Sequence, residues 1–118
     1  FAALGALLQR AVAVVGADSG AMHLAVALDR PTVTLFGPAD PAVYGPWGPM
    51  SRHRVATSGT ICVPCDVLQW PPEELRFHPC VARISPDLVL ALLGQVMRDD
   101  DRGRAASVRH SDEETSDE

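Results

Sequence analysis

Near the start, Ala3 to Gln9 is a stretch of good helix formers that predicts the end of a helix. Val12-Ala13-Val14-Val15 follows, a short unbroken apolar run of the kind carried by parallel strands buried on both faces. Gly16 and the Asp18-Ser19-Gly20 cluster break that run. From Ala21 to Leu28 nearly every residue is apolar, which predicts a short helix buried on most sides. Pro31 stops this helix, and Thr32-Val33-Thr34-Leu35-Phe36 reads as a second strand ended by Gly37-Pro38. Strand, helix and strand in this order imply a right-handed crossover and a parallel sheet, so the pattern alone assigns the α/β class.

Residues 37–50 are crowded with proline and glycine and predict a constrained loop without regular structure. His53-Arg54-Val55-Ala56-Thr57 predicts one more short strand, and residues 58–83, which carry the cysteines, an irregular excursion. Ser85-Pro86-Asp87 has the residues that start a helix: serine as N-cap, proline at the first helical position, and an acid near the positive end of the dipole. Leu88, Leu92, Leu93 and Val96 supply its expected buried face. After Arg98 the sequence Asp99-Asp100-Asp101 opens a polar stretch, and residues 99–118 read as a disordered acidic tail.

Charge sharpens this division. The formal net charge is −5, but the stretch 1–98 carries equal numbers of acids and arginines, so the whole imbalance lies in the tail. A neutral body lacks the basic face of a nucleic-acid-binding domain, so no nucleic-acid partner is expected. Every basic residue is arginine, which excludes Schiff-base chemistry through a lysine. Aromatic residues make up only 5%, so the core must come from alanine, valine and leucine. No apolar run approaches the roughly 18 residues of a membrane helix. The start at Phe1-Ala2-Ala3 shows neither initiator methionine nor basic leader and reads as a piece of a longer protein. Three cysteines without an export signal point to a reducing, cytoplasmic setting.

The chemistry concentrates where the first strand meets the second helix, in Asp18-Ser19-Gly20-Ala21-Met22-His23. Ligands of open parallel sheets sit at the carboxyl ends of strands, where the free amides of Gly20, Ala21 and Met22 and the helix dipole favour an anion. Gly20 permits close backbone approach. Ser19 can cap the helix or donate to a phosphate, and His23, four residues on, can add a donor or a charge. A carboxylate repels phosphate, so Asp18 makes better sense accepting from the hydroxyls of a sugar. Together these groups describe a nucleotide-sugar site. The bland alternative is that Asp18 or Ser19 caps a helix and His23 is a satisfied core histidine. A serine-nucleophile elbow is excluded, because Ala17 and Ala21 stand where glycines are needed.

The order Asp18-Ser19-Gly20-Ala21-Met22-His23-Leu24-Ala25, then Pro31-Thr32-Val33 and Leu35-Phe36-Gly37-Pro38, resembles glycosyltransferase family 9, the ADP-heptose:lipopolysaccharide heptosyltransferases. Asp40-Pro41, Gly45-Pro46, the cysteine loop and Ile84-Ser85-Pro86 continue the likeness, which covers about residues 4 to 97. Ala17 and Ala21 stand where the family usually has asparagine and proline. The resemblance implies a Rossmann-like parallel sheet with flanking helices, part of the C-terminal half of a GT-B fold. Residues 1–98 would then be a nucleotide-sugar-binding half short of its first strands. It implies inverting, metal-independent transfer of a heptose from a nucleotide diphosphate donor to a glycolipid acceptor, with the enzyme at the inner membrane face. By position, Asp18 would contact the donor sugar, and Ser19, Gly20 and His23 the diphosphate. The general base would lie in the other half, and no cofactor is implied. A non-catalytic nucleotide-binding remnant and another GT-B-type enzyme, such as a nucleotide-sugar epimerase, are the rival readings.

Three further groups invite a role. Cys62 and Cys65, with His78 and Cys80, have the makings of a Cys₃His zinc site, against the plainer reading of reduced thiols under a proline-rich loop. Trp47 and Trp70 can stack on a ligand, though pinning a loop to the surface is the favoured role. Arg52 and Arg54 are the nearby cations that can draw in an anionic donor.

Overall fold

The computed structural model describes residues 1–59, 71–77 and 79–115. Its elements are α1 (Ala2–Arg10), β1 (Val14–Ala17), α2 (Gly20–Ala27), β2 (Thr32–Leu35), α3 (Pro41–Tyr44) and β3 (His53–Ala56). A 3₁₀ turn (Pro72–Phe77), α4 (Pro79–Ala82) and α5 (Pro86–Thr115) complete the order. Among the described residues the sheet is three-stranded and parallel, in the order β1-β2-β3. This is the α/β architecture that the hydrophobic pattern predicts.

β2 is the central strand and the most buried, and its two faces divide the molecule. Side chains alternate across a strand. Val33 and Leu35 therefore face α5, joining Ala56, Ile84 and Val96 with Val89, Leu92 and Leu93. Thr32 and Thr34 face the opposite side. There α2 packs over β1 and β2, with Met22 and Ala25 buried.

Most departures from the sequence reading have backbone causes. β1 begins at Val14, two residues later than expected, and Val12 is exposed. Its partner strand starts after Pro31, which has no amide to extend the ladder and whose carbonyl takes the Val14 amide. Gly16 lies inside β1 rather than ending it, and a Cβ there would meet the Met22 Sδ at 2.8 Å, so glycine lets α2 pack against the strand. α2 is closed by Asp29 and not by Pro31. Asp29 has φ 58°, its amide reaches the Val26 carbonyl, and the Arg30 amide reaches back to Ala25, the paired bonds of a left-handed helix stop. The proline-rich loop contains a helical turn, α3, because the Asp40 side chain accepts from the Ala42 amide and Pro41 sits at the first helical position.

The last helix presents Val89 to the core in place of Leu88, which is partly exposed. α5 does not stop at Arg98 but continues to Thr115. Asp100, four residues beyond the buried Val96, falls on the same face and is only 5% exposed.

Candidate functional site

β1 ends at the carboxyl edge of the sheet, where the Asp18 amide still bonds the Leu35 carbonyl of β2 (3.1 Å). The chain then turns through Ser19, extended at φ −163° and ψ 168°, straight into α2. Ser19 holds the N-cap position, but no side chain caps the helix. The first-turn amides of Gly20, Ala21 and Met22 thus keep their donor capacity for a ligand. An ideal Cβ at Gly20 would meet nothing within 4 Å, which leaves open space above the helix start.

His23 and Asp18 come together here. The His23 Nε2 lies 3.5 Å from the Asp18 Oδ1, with the imidazole 52% and the carboxylate 28% exposed. That exposure removes the core-histidine reading. The helical spacing does link His23 to Ser19, through the His23 amide and the Ser19 carbonyl (3.2 Å), but the ring itself turns to Asp18. The structure therefore brings Asp18, Ser19, Gly20 and His23 to one strand–turn–helix junction. An uncapped helix start can hold an anion, an imidazole can donate beside it, and a carboxylate can accept from hydroxyls.

A narrow seam with no room for a water molecule runs from this junction between α2 and the α3 loop. Its floor is Met22, Val26, Thr34 and Phe36, and its far wall is Tyr44 and Pro46. No apolar periodicity in the sequence marks this wall. Its signal was the Asp40-Pro41 pair, which builds α3 and so fixes where Tyr44 stands.

Two expected contributors are elsewhere. Arg52 precedes β3 at the amino end of the sheet, opposite the site, and is fully engaged. Its Nε donates to the Asp29 Oδ1 (2.8 Å), one terminal nitrogen to the Asp29 carbonyl (2.6 Å), and the other to the Asp100 Oδ1 (2.6 Å). Arg54 lies within β3 and faces Asp99 of α5 at 3.9 Å. Arg52 is thus held away from the site, and Arg54 keeps an unpartnered buried Nε. Beside Arg52, the buried His53 Nδ1 shares a hydrogen bond with the Thr32 Oγ1 (2.9 Å). Burial, the dominant influence, holds the His53 imidazole below its ordinary value near 6.5; Asp29 opposes this and Arg52 reinforces it.

Trp47 is 89% exposed and pins nothing. Cys80 is a free, half-buried thiol, while Cys62, Cys65, His78 and Trp70 lie outside the described residues. Among the described residues no cluster of histidine, cysteine or acid could hold a metal, and no helix is long and apolar enough to cross a membrane.

The class these elements define is α/β, a parallel sheet with an uncapped helix start and a carboxylate–imidazole pair at its carboxyl edge. Comparison with known sequences narrows this. The profile of glycosyltransferase family 9 (heptosyltransferase) matches residues 1–69, more than half of the chain, and the chain belongs to that family. It is 42% identical over 103 residues to lipopolysaccharide heptosyltransferase 1 of Pseudomonas aeruginosa, an alignment covering 78% of this chain and 28% of that protein. Lipooligosaccharide heptosyltransferase 2 of Haemophilus influenzae is 28% identical over 91 residues (77% of the chain, 25% of the relative). Lipopolysaccharide heptosyltransferase 1 of Salmonella typhimurium is 54% identical over 35 residues (30% and 11%). The chain thus spans about a quarter of the length of the longer-matched relatives. No solved structure matches it.

Proposed function

We propose that the chain is the donor-binding portion of a heptosyltransferase, which moves a heptose from ADP-heptose to a lipopolysaccharide-core acceptor at the cytoplasmic face of the membrane. The observation that carries this reading is the uncapped start of α2 beside the Asp18–His23 pair, in a chain of family 9. Ser19, the Gly20 and Ala21 amides and His23 hold the diphosphate. Asp18 accepts from hydroxyls of the sugar.

The chemistry follows from charge. An acceptor oxygen attacks the anomeric carbon from the face opposite the diphosphate, which inverts that centre. As the bond from carbon to phosphate oxygen breaks, negative charge gathers on the leaving diphosphate. The helix amides and His23 stabilise that charge where it develops, without a metal ion. The proton of the acceptor hydroxyl passes to a general base outside this chain. Family membership favours transfer over sugar epimerisation.

The test replaces the matched segment of the Pseudomonas aeruginosa relative with this chain's sequence and assays transfer from ADP-heptose. Retained transfer that is lost on Asp18→Asn supports the reading. Absence of ADP binding to both the hybrid and this chain overturns it.

A further inference from the structure

We infer that Tyr44 is a sugar-contact residue of this site, a ring wall that selects for the sugar portion of the donor; this rests on the reading of the α2 junction as a nucleotide-sugar site. Tyr44 borders the same seam as Asp18 and His23, from the opposite side. The seam admits no water, so a ligand lies along its rim, and the accessible groups there are the Asp18 carboxylate, the His23 ring and Tyr44. Tyr44 is 47% exposed, and none of the described hydrogen bonds uses its hydroxyl.

Its position is fixed by the loop, as a binding wall requires. Asp40 caps α3 through the Ala42 amide at 2.9 Å, and the Tyr44 amide closes the turn on the Asp40 carbonyl at 3.0 Å. The Gly45 amide bonds the Pro41 carbonyl, and a Cβ at Gly45 would run into that oxygen, so only glycine lets the chain leave the turn here. Pro46 follows at once and lines the same wall. Trp47, though larger, borders no part of the seam and takes no share in this wall.

The chemistry then divides cleanly. Sugar rings present hydroxyls at their edges and C–H bonds on their faces. Asp18 serves the first, and an aromatic face, rigid and apolar with a polar tip, serves the second.

The test compares the affinities of the whole 118-residue chain for ADP and for ADP-heptose, by calorimetry, in wild type, Tyr44→Ala and Tyr44→Phe. The inference expects wild type to bind the sugar-bearing ligand more tightly than ADP. Tyr44→Ala should lose about tenfold for ADP-heptose with ADP affinity unchanged, and Tyr44→Phe should keep the preference. An Ala variant that retains the preference, a wild type that has none, or an Ala variant that loses ADP equally overturns the role of Tyr44 and leaves the junction's reading intact. A wild-type chain and a wild-type hybrid that both bind neither ligand overturn both.

Discussion

At the amino end of the sheet, Arg52 places its donors on the Asp29 carboxylate, the Asp29 carbonyl and the buried Asp100, while His53 is hydrogen-bonded to Thr32. At the carboxyl end, the first amides of α2 have no side-chain cap, and Asp18 and His23 stand half-open to solvent. Both ends are rich in polar groups. One end pairs Arg52 with Asp29 and Asp100, and His53 with Thr32, and so ties three segments distant in sequence into one body; the other leaves its groups available. Buried polar groups are costly unless paired, so pairing marks the end that holds the fold together. Open donor capacity at a helix start is the feature on which the proposed ligand site rests.

Perturbing one end should leave the other undisturbed. The largest effect is expected from Asp18→Asn in the hybrid transferase: transfer should fall by about a hundredfold or more, while ADP affinity and thermal stability stay at wild-type values. Arg52→Ala should do the reverse. Removing it takes from the buried Asp100 carboxylate a cation 2.6 Å away, which is expected to lower unfolding stability by about 2 kcal/mol in a urea titration, with ADP affinity unchanged.

A pH series should sharpen the contrast. His53 is held below its ordinary value in the folded chain, so the unfolded chain takes up the proton first as pH falls. Its contribution to stability is complete above about pH 6.5 and declines as the pH drops below that value. Urea midpoints measured for wild type and His53→Gln should show a shallower decline in the variant across that range. The smallest effect is expected from Asp29→Asn, which keeps the left-handed backbone and an acceptor oxygen, and removes only a largely exposed charge: below about 1 kcal/mol, and less in high salt.

The two ends also differ in how far the sequence disclosed them. The open end was legible because its chemistry is local: Asp18, Ser19, Gly20 and His23 sit within one strand–turn–helix junction, and a backbone turn places them together. Its far wall was less so, because Tyr44 lies in a stretch whose prolines and glycines suggested irregular structure. The Asp40 cap and Pro41 make a helical turn there instead. The clamped end joins Asp29, Arg52 and Asp100, which no local pattern connects. A trace was nonetheless present. The stripe Val89, Leu92, Leu93, Val96 continues at helical spacing to Asp100, and a carboxylate on a buried stripe requires a cation opposite. Reading Asp99-Asp100-Asp101 as the opening of a tail hid that requirement. The parallel sheet itself was legible from two apolar runs around an apolar helix, and only its first boundary moved, for want of an amide at Pro31.

The central claim is that the start of α2 binds a diphosphate, and titrating ADP into the isotopically labelled 118-residue chain while following its backbone amide resonances tests it most directly. The account predicts saturable shifts centred on Gly20, Ala21, Met22 and His23, with the Arg52, His53 and Asp100 amides unmoved. Shifts confined to the Arg52 end, or none at Gly20 through His23 at millimolar ADP, would contradict it.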